Sequence, residues 1–442
     1  MDHTVTNSFD FLEIIKQYNA QAIMHGHGHR NRLNDYSDIP GIMGRSNLSR
    51  GGPGGYNIVT IEADSMILQE RQPVEKKTLD PWLELELKEN VYTDSHYSLK
   101  PDMSVNNEYP DIKKVWSYDS QYSITAAAAV VDDLVIFGNR SGKVYALSLE
   151  DGKPVWTFES GGPVFTEPEV AGANVYFTST DSLLYCLDYR TGEKIWSYKT
   201  KAPIVAHPVF YDEKIYFGSS DGRFRSLNAE TGKLVWDFMR IDTYVESKPL
   251  VAEDKIIFGA WDTYLYALDA QNGKLIWRWR GDNTGRLYSP AVVHPVYANG
   301  KVFIVAPDRV MTAIDINSGK TIWRSDTFKV RENIGISEDA STVYAKTMWD
   351  IVCAVSTKEN KPLTKWSNHV GYGFEIDPSY PVEHDGVVYL TTQMGFVYAL
   401  NADDGELLWI HRIGGNLLNT PVINENTAVI TGMDGVVAKI AF

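Results

Sequence analysis

Cysteine is scarce: Cys186 and Cys353 are the only two in 442 residues, too few for a disulfide framework or a four-thiolate zinc site. Positive charge is in deficit as well, with 42 Lys and Arg against 57 Asp and Glu and a net charge of −15. A nucleic-acid backbone or an anionic membrane surface asks for a cationic stripe, so neither is an expected partner. No run approaches the about 18 consecutive apolar residues of a membrane-spanning helix. The first thirty residues show no apolar core followed by small cleavage-site residues. The chain as given is therefore expected to carry no membrane insertion and no signal peptide. What is present is ordinary for a globular protein: 43% apolar and 22% charged residues. The length suits two or three domains, or one long repeat array.

The repeat array is visible in tryptophan. Trp116, Trp156, Trp196, Trp236, Trp277, Trp323, Trp366 and Trp409 stand 40, 40, 40, 41, 46, 43 and 43 residues apart. Before most of them lies one pattern: an apolar strand, a turn, a second strand of the "VYALS" kind, a glycine turn, then the strand with the Trp. Short strands with turn chemistry at each junction, repeated at this period, predict the blades of a propeller. Strands such as "KLIW" are apolar at consecutive positions, which suits sheets sandwiched between neighbours. All eight tryptophans share one position in the repeat, so packing between blades is their expected role.

Gly152, Gly192, Gly232, Gly273, Gly319 and Gly405 each stand four residues before a Trp, where a hairpin turn requires positive φ. In the sixth repeat Asn360 takes that place, as the side chain that best tolerates the left-handed region after glycine. Repeats begin near Ala126, Thr166, Ala206, Ser247, Ser289, Arg331, Pro378 and Thr420, which predicts an all-β, eight-bladed propeller of four-stranded blades over residues 113–442. The eighth repeat stops at Phe442 without a Trp strand, and "KKVWSY" at 113–118 is a Trp strand with no blade before it. A ring must close to hide its edges, so Val115 to Tyr118 are expected to pair as the outermost strand of the last blade. Cys186 and Cys353 then fall in opposite blades and cannot be bridged.

Residues 1–72 read as a small α/β remnant. Asn7 and Ser8 can cap an amphipathic helix through Phe11, Leu12, Ile15 and Tyr18, and the strand "AQAIM" leads into "HGHGHRN". Further short strands are expected at "IPGIMG", "GGYNIVTI" and "SMILQER". Residues 73–112 read as an extended linker with one possible strand at "WLELEL". The run Arg50 to Tyr56, "RGGPGGY", lacks the Lys-Ser/Thr of a phosphate loop and is expected to be a turn.

His25, His27 and His29 alternate with glycines directly after a strand, an arrangement suited to metal ligation. The stretch from Phe9 to Arg71, with "GHGH" after "AIM", resembles the last part of the calcineurin-like metallophosphoesterases. That resemblance implies His27 and His29 as a metal-ligand pair. The other ligand motifs of that family should precede this one. Asp94-Ser95-His96 and Gly281-Asp282 follow it instead, and no Gly-Asn-His occurs. Two histidines cannot hold a two-metal centre, so this segment is expected to be a catalytically dead piece of a longer phosphoesterase. Manganese, zinc or iron would belong only to a complete parent, and metal-dependent hydrolysis would need the missing half.

Residues 113–442, with elements of the "YALDAQNGKLIW" type, resemble pyrroloquinoline-quinone-like propellers, a group that includes quinoprotein alcohol dehydrogenases, an outer-membrane assembly lipoprotein and sensor modules of bacterial kinases. The dehydrogenases carry an adjacent cysteine pair beside their quinone, which Cys186 and Cys353, 167 residues apart, cannot reproduce; no quinone is expected. No kinase catalytic loop is present. The resemblance implies a binding or scaffold module outside the bacterial cytoplasm, with a protein, carbohydrate or small-molecule ligand at the propeller mouth. Residues before an X-Pro step at the start of each innermost strand would share one level of the funnel: Glu167, His207, Lys248, Ser289, Asp377 and Thr420. Off-pattern residues in the next hairpin, Arg140, Trp261, Arg309, Trp349 and Gln393, would face the same mouth. Trp261 and Trp349 stand outside the 40-residue series, and an exposed Trp favours contact.

Overall fold

The computed structural model describes residues 8–26, 30–36, 38–45, 54–88, 101–327, 329–376 and 379–442. Contacts divide the chain into two units, 1–102 and 103–442. In the first unit a helix, Ser8–Ile15, precedes a three-stranded sheet in which Ile23–His25 runs parallel to Ile39–Met43 and Arg32–Tyr36 antiparallel to it. A second, antiparallel sheet joins Tyr56–Ile61, Ser65–Gln72 and Lys77–Glu86. The stretch expected to be linker therefore supplies a ten-residue strand. Its apolar side chains Trp82, Leu83 and Leu85, with Leu87 just beyond it, pack with Met66 and Leu68 of the neighbouring strand.

The second unit holds, among the described residues, eight four-stranded antiparallel sheets, each following its neighbour along the chain. Their innermost strands touch in sequence, and the last touches the first, so the array is a closed ring. Closure is made as the repeat register requires: Lys113–Asp119 pairs with Val436–Ala441 as the outermost strand of the last sheet, Tyr118 facing Val437 and Trp116 facing Lys439. Second and third strands are buried at consecutive positions, as in Val135, Ile136 and Phe137, because each sheet is covered on both faces. Rings interleave across these interfaces; Phe224 of the third sheet stacks on Phe258 of the fourth with centroids 4.0 Å apart. Both cysteines are buried and free.

The glycine turns and the tryptophans form one device. Each of the six glycines has φ between +67° and +76°. Each also lies against the Trp of the preceding sheet, where a Cβ would approach the indole to between 2.4 and 2.7 Å. Three residues earlier, the turn's carbonyl accepts the same indole's N–H: Trp156 donates to Tyr189 O at 2.9 Å, Trp236 to Ala270 O at 3.1 Å and Trp366 to Ala402 O at 2.8 Å. The sixth sheet departs from this. Asn360 is not among the residues with positive φ, so the longer turn there does without a left-handed residue. The Trp323 N–H that should dock on it is buried without a partner.

Candidate functional site: the axial cavity of the propeller

Proline pre-orders the entry to six of the eight innermost strands and keeps the residue before it extended. Counting back eight residues from the first fully buried position of each second strand finds the axial residue: Glu167 before Val175, His207 before Ile215, Lys248 before Ile256, His294 before Val302, Tyr380 before Val388 and Thr420 before Ala428. All six line one cavity of about 590 Å³, together with Phe165, Glu246, Val292, Glu332, Ile376 and Ser379.

At two repeats this register selects a different residue from the one expected. The fifth and seventh repeats each carry two X-Pro steps, and in both the second one sets the strand. Ser289 is buried away from the axis, its hydroxyl on the Trp261 carbonyl at 3.2 Å, and His294 takes its place. Asp377 lies outside the described residues, and Tyr380 holds the axial position. Skipping the first proline in favour of the eight-residue spacing would have found both.

Across the axis the Lys248 ammonium meets the Glu167 carboxylate at 2.6 Å, reaching over the third sheet. The Glu167 backbone N–H donates to Nδ1 of His207 at 3.1 Å, which fixes that imidazole as the neutral Nε2–H form. Burial, reinforced by the Lys248 charge, pushes His207 down to about 4. Burial, Lys248 and His207 together hold His294 well below its ordinary value. Lys248 stays charged: burial opposes the ammonium, and Glu167 outweighs it. Burial raises the Tyr380 phenol, whose ring packs on His294 at 4.2 Å between centroids. At neutral pH the Lys248–Glu167 ion pair is thus flanked by two uncharged imidazoles and a phenol, with Glu246 and Glu332 also in the lining.

The hairpin candidates share this face, because the hairpin between second and third strands bonds the loop that crosses from the previous sheet, as Trp261 N does with Tyr244 O. None of them lines the cavity. Trp261 reaches it through Glu246, its indole donating to the carboxylate at 2.9 Å. Gln393 is tied into its turn by Glu375 and Phe374 O, Arg140 is exposed above Phe165, and Arg309 is exposed with φ +63°. Trp349 is 54% exposed and packs on Phe374 at 4.7 Å. It belongs to an apolar rim with Met239, Tyr244, Leu287, Tyr288 and Val292, all exposed on this side.

His27 and His29 lie outside the described residues, as do residues 50–53 of the glycine-rich run. His25 is engaged by the Asn34 amide at 3.1 Å and the Tyr36 hydroxyl at 3.2 Å. Among the described residues one cluster could hold a metal ion, Glu338, His384 and Asp385, in loops on the opposite face.

Closed ring, four-stranded sheets and interlocked tryptophans define a β-propeller. The chain belongs to the family of the outer membrane protein assembly factor BamB, whose model matches residues 110–238, 172–287, 246–362 and 346–442 in overlapping segments. Among solved structures it is similar to BamB of Moraxella catarrhalis, at 19% identity over 75% of this chain and 100% of that one, with a TM-score of 0.63. The computationally designed Ika8 protein is similar at 17% identity, over 74% and 99%, with a TM-score of 0.65. A quinohemoprotein alcohol dehydrogenase from Pseudomonas putida aligns at 15% identity, over 75% and 76%, with a TM-score of 0.61. At these identities the likeness is one of fold. No curated protein matches in sequence. The family match begins at residue 110, so the phosphoesterase resemblance of the N-terminal segment gains no support from it. No helix of the described residues is long and apolar enough to cross a membrane.

Proposed function

We propose that this chain acts as a non-catalytic docking module, holding another protein against the mouth of the propeller in the manner that the name of its family, an assembly factor, indicates. The observation that carries this reading is the apolar rim around the cavity. Leu287 is 77% exposed, Met239 62% and Trp349 54%, side chains that shed the unfavourable hydration of their apolar surface only when a partner covers them. The proposed compartment is the periplasm or the exterior of the cell. A photo-crosslinking residue placed at Leu287 or at Trp349 is expected to give a discrete protein adduct in cells, whereas one at Val235, exposed on an outermost strand, gives none. Equal labelling from all three positions would sink the proposal.

Quinone-dependent oxidation is a second reading, favoured by the fold shared with an alcohol dehydrogenase. The cavity residues do not fit a polyanionic quinone: Glu167, Glu246 and Glu332 face a single ammonium, Lys248, and both imidazoles are uncharged. Bound-quinone absorbance in the purified protein would reinstate it.

A further inference from the structure

The tryptophan device fails once more, at the ring closure, and there it leaves a groove. In six sheets the turn between third and fourth strands covers the indole of the sheet before it. In the eighth sheet that turn is divided between distant parts of the chain. Phe442 holds the carbonyl position, its N–H on Asn426 O as the Ala270 N–H is on Asp254 O. Ile112, four residues before Trp116, holds the glycine position. A β-branched side chain cannot lie flat on an indole as glycine does. Trp409 is left half-buried, and its indole N–H has no hydrogen-bond partner among the described residues, unlike those of Trp116 and Trp366.

The result is a groove of about 560 Å³. Its floor is aromatic: Trp409 meets Phe442 at 5.4 Å and Tyr389 at 6.0 Å between centroids, and Tyr109 packs beside them. Its rim is acidic, formed by Glu108, Asp111, Asp385 and Glu425, with no lysine or arginine in the lining. Aromatic faces beside carboxylates attract a cationic side chain, and an indole N–H at the floor asks for a carbonyl acceptor. The six covered tryptophans show what satisfies that donor: a peptide carbonyl, with Gly-Lys three and four residues further on in four cases, at Gly152-Lys153, Gly232-Lys233, Gly273-Lys274 and Gly319-Lys320. A second copy of this chain has no such turn to offer, since all six are seated on their own tryptophans.

We infer that this groove binds a lysine- or arginine-bearing peptide segment of another protein, its backbone carbonyl on the Trp409 N–H and its cationic side chain among the rim carboxylates. The site lies on the face opposite the axial mouth and does not depend on the docking reading given above. The test is titration of the intact protein with a capped AKGKA peptide and with AEGEA, followed by calorimetry and by the ¹⁵N resonance of the Trp409 indole. Expected are a shift of that resonance, binding that weakens with salt, at least tenfold weaker binding of AEGEA, and a several-fold loss in Trp409→Phe. Asp385→Asn/Glu425→Gln, which leaves the aromatic floor intact, should also weaken AKGKA. No shift at millimolar AKGKA, equal binding of the two peptides, or undiminished binding to both variants would overturn the inference.

Discussion

His207 shows how one axial residue ties stability to pH. Its Nδ1 is committed to the Glu167 N–H, and burial beside Lys248 holds it near 4 against an ordinary 6.5. Between those values the unfolded chain binds the extra proton, so the contribution is complete above about pH 6.5, falls as the pH drops, and levels off below about 4. At about 1.4 kcal/mol per pH unit, the window is worth roughly 3 kcal/mol for this residue. Denaturant unfolding at pH 7.5, 5.5 and 4.5 should show that decline. The slope should be shallower by about one proton in His207→Gln, whose amide oxygen can still accept the Glu167 N–H. An unchanged slope would mean that His207 is protonated in the fold. The residue's chemical type was readable in the sequence; its neutrality was not, because that depends on burial at the axis and then on Lys248 arriving from 41 positions along the chain.

At the scale of the element, the turn between third and fourth strands works as a clasp. Trp236→Phe trims the buried indole and removes one of two donors to the Ala270 carbonyl, which keeps the Tyr216 hydroxyl at 3.0 Å; the lost hydrogen bond costs about 1 kcal/mol beyond the lost packing. Trp323→Phe removes an N–H that has no partner and loses only packing, so thermal unfolding should show it less destabilised than Trp236→Phe by about 1 kcal/mol. Equal losses in the two variants would contradict the docking geometry. The glycines were predicted from turn conformation alone, and their φ values agree. Contact with the previous tryptophan gives a second reason for glycine that no local pattern discloses. The strand Lys77–Glu86 makes the same point in reverse: its alternation was visible at "WLELEL", and only its partner Ser65–Gln72 turned a charged stretch into a sheet edge.

The whole molecule depends on one non-local pairing. Deleting Lys113–Asp119 removes the fourth strand of the last sheet, exposes the edge Val436–Ala441 and uncovers Val437. The variant is expected to lose its cooperative unfolding transition and to associate through the open edge, as size-exclusion chromatography would show. A monomer of native thermal stability would contradict closure by this strand.

What the sequence by itself determined is everything that repeats. Tryptophan period, glycine turns and consecutive apolar strands specify the sheets and the closing strand, because each repeat faces the same physical problem of burying two sheet faces. The tertiary structure decided what does not repeat. Which X-Pro step enters the axis, that His294 and not Ser289 lines the cavity, that Tyr380 joins it, and that the divided turn beside Trp409 leaves a groove all follow from distances between sheets. Those distances are set only when the ring closes, which brings residues hundreds of positions apart into contact.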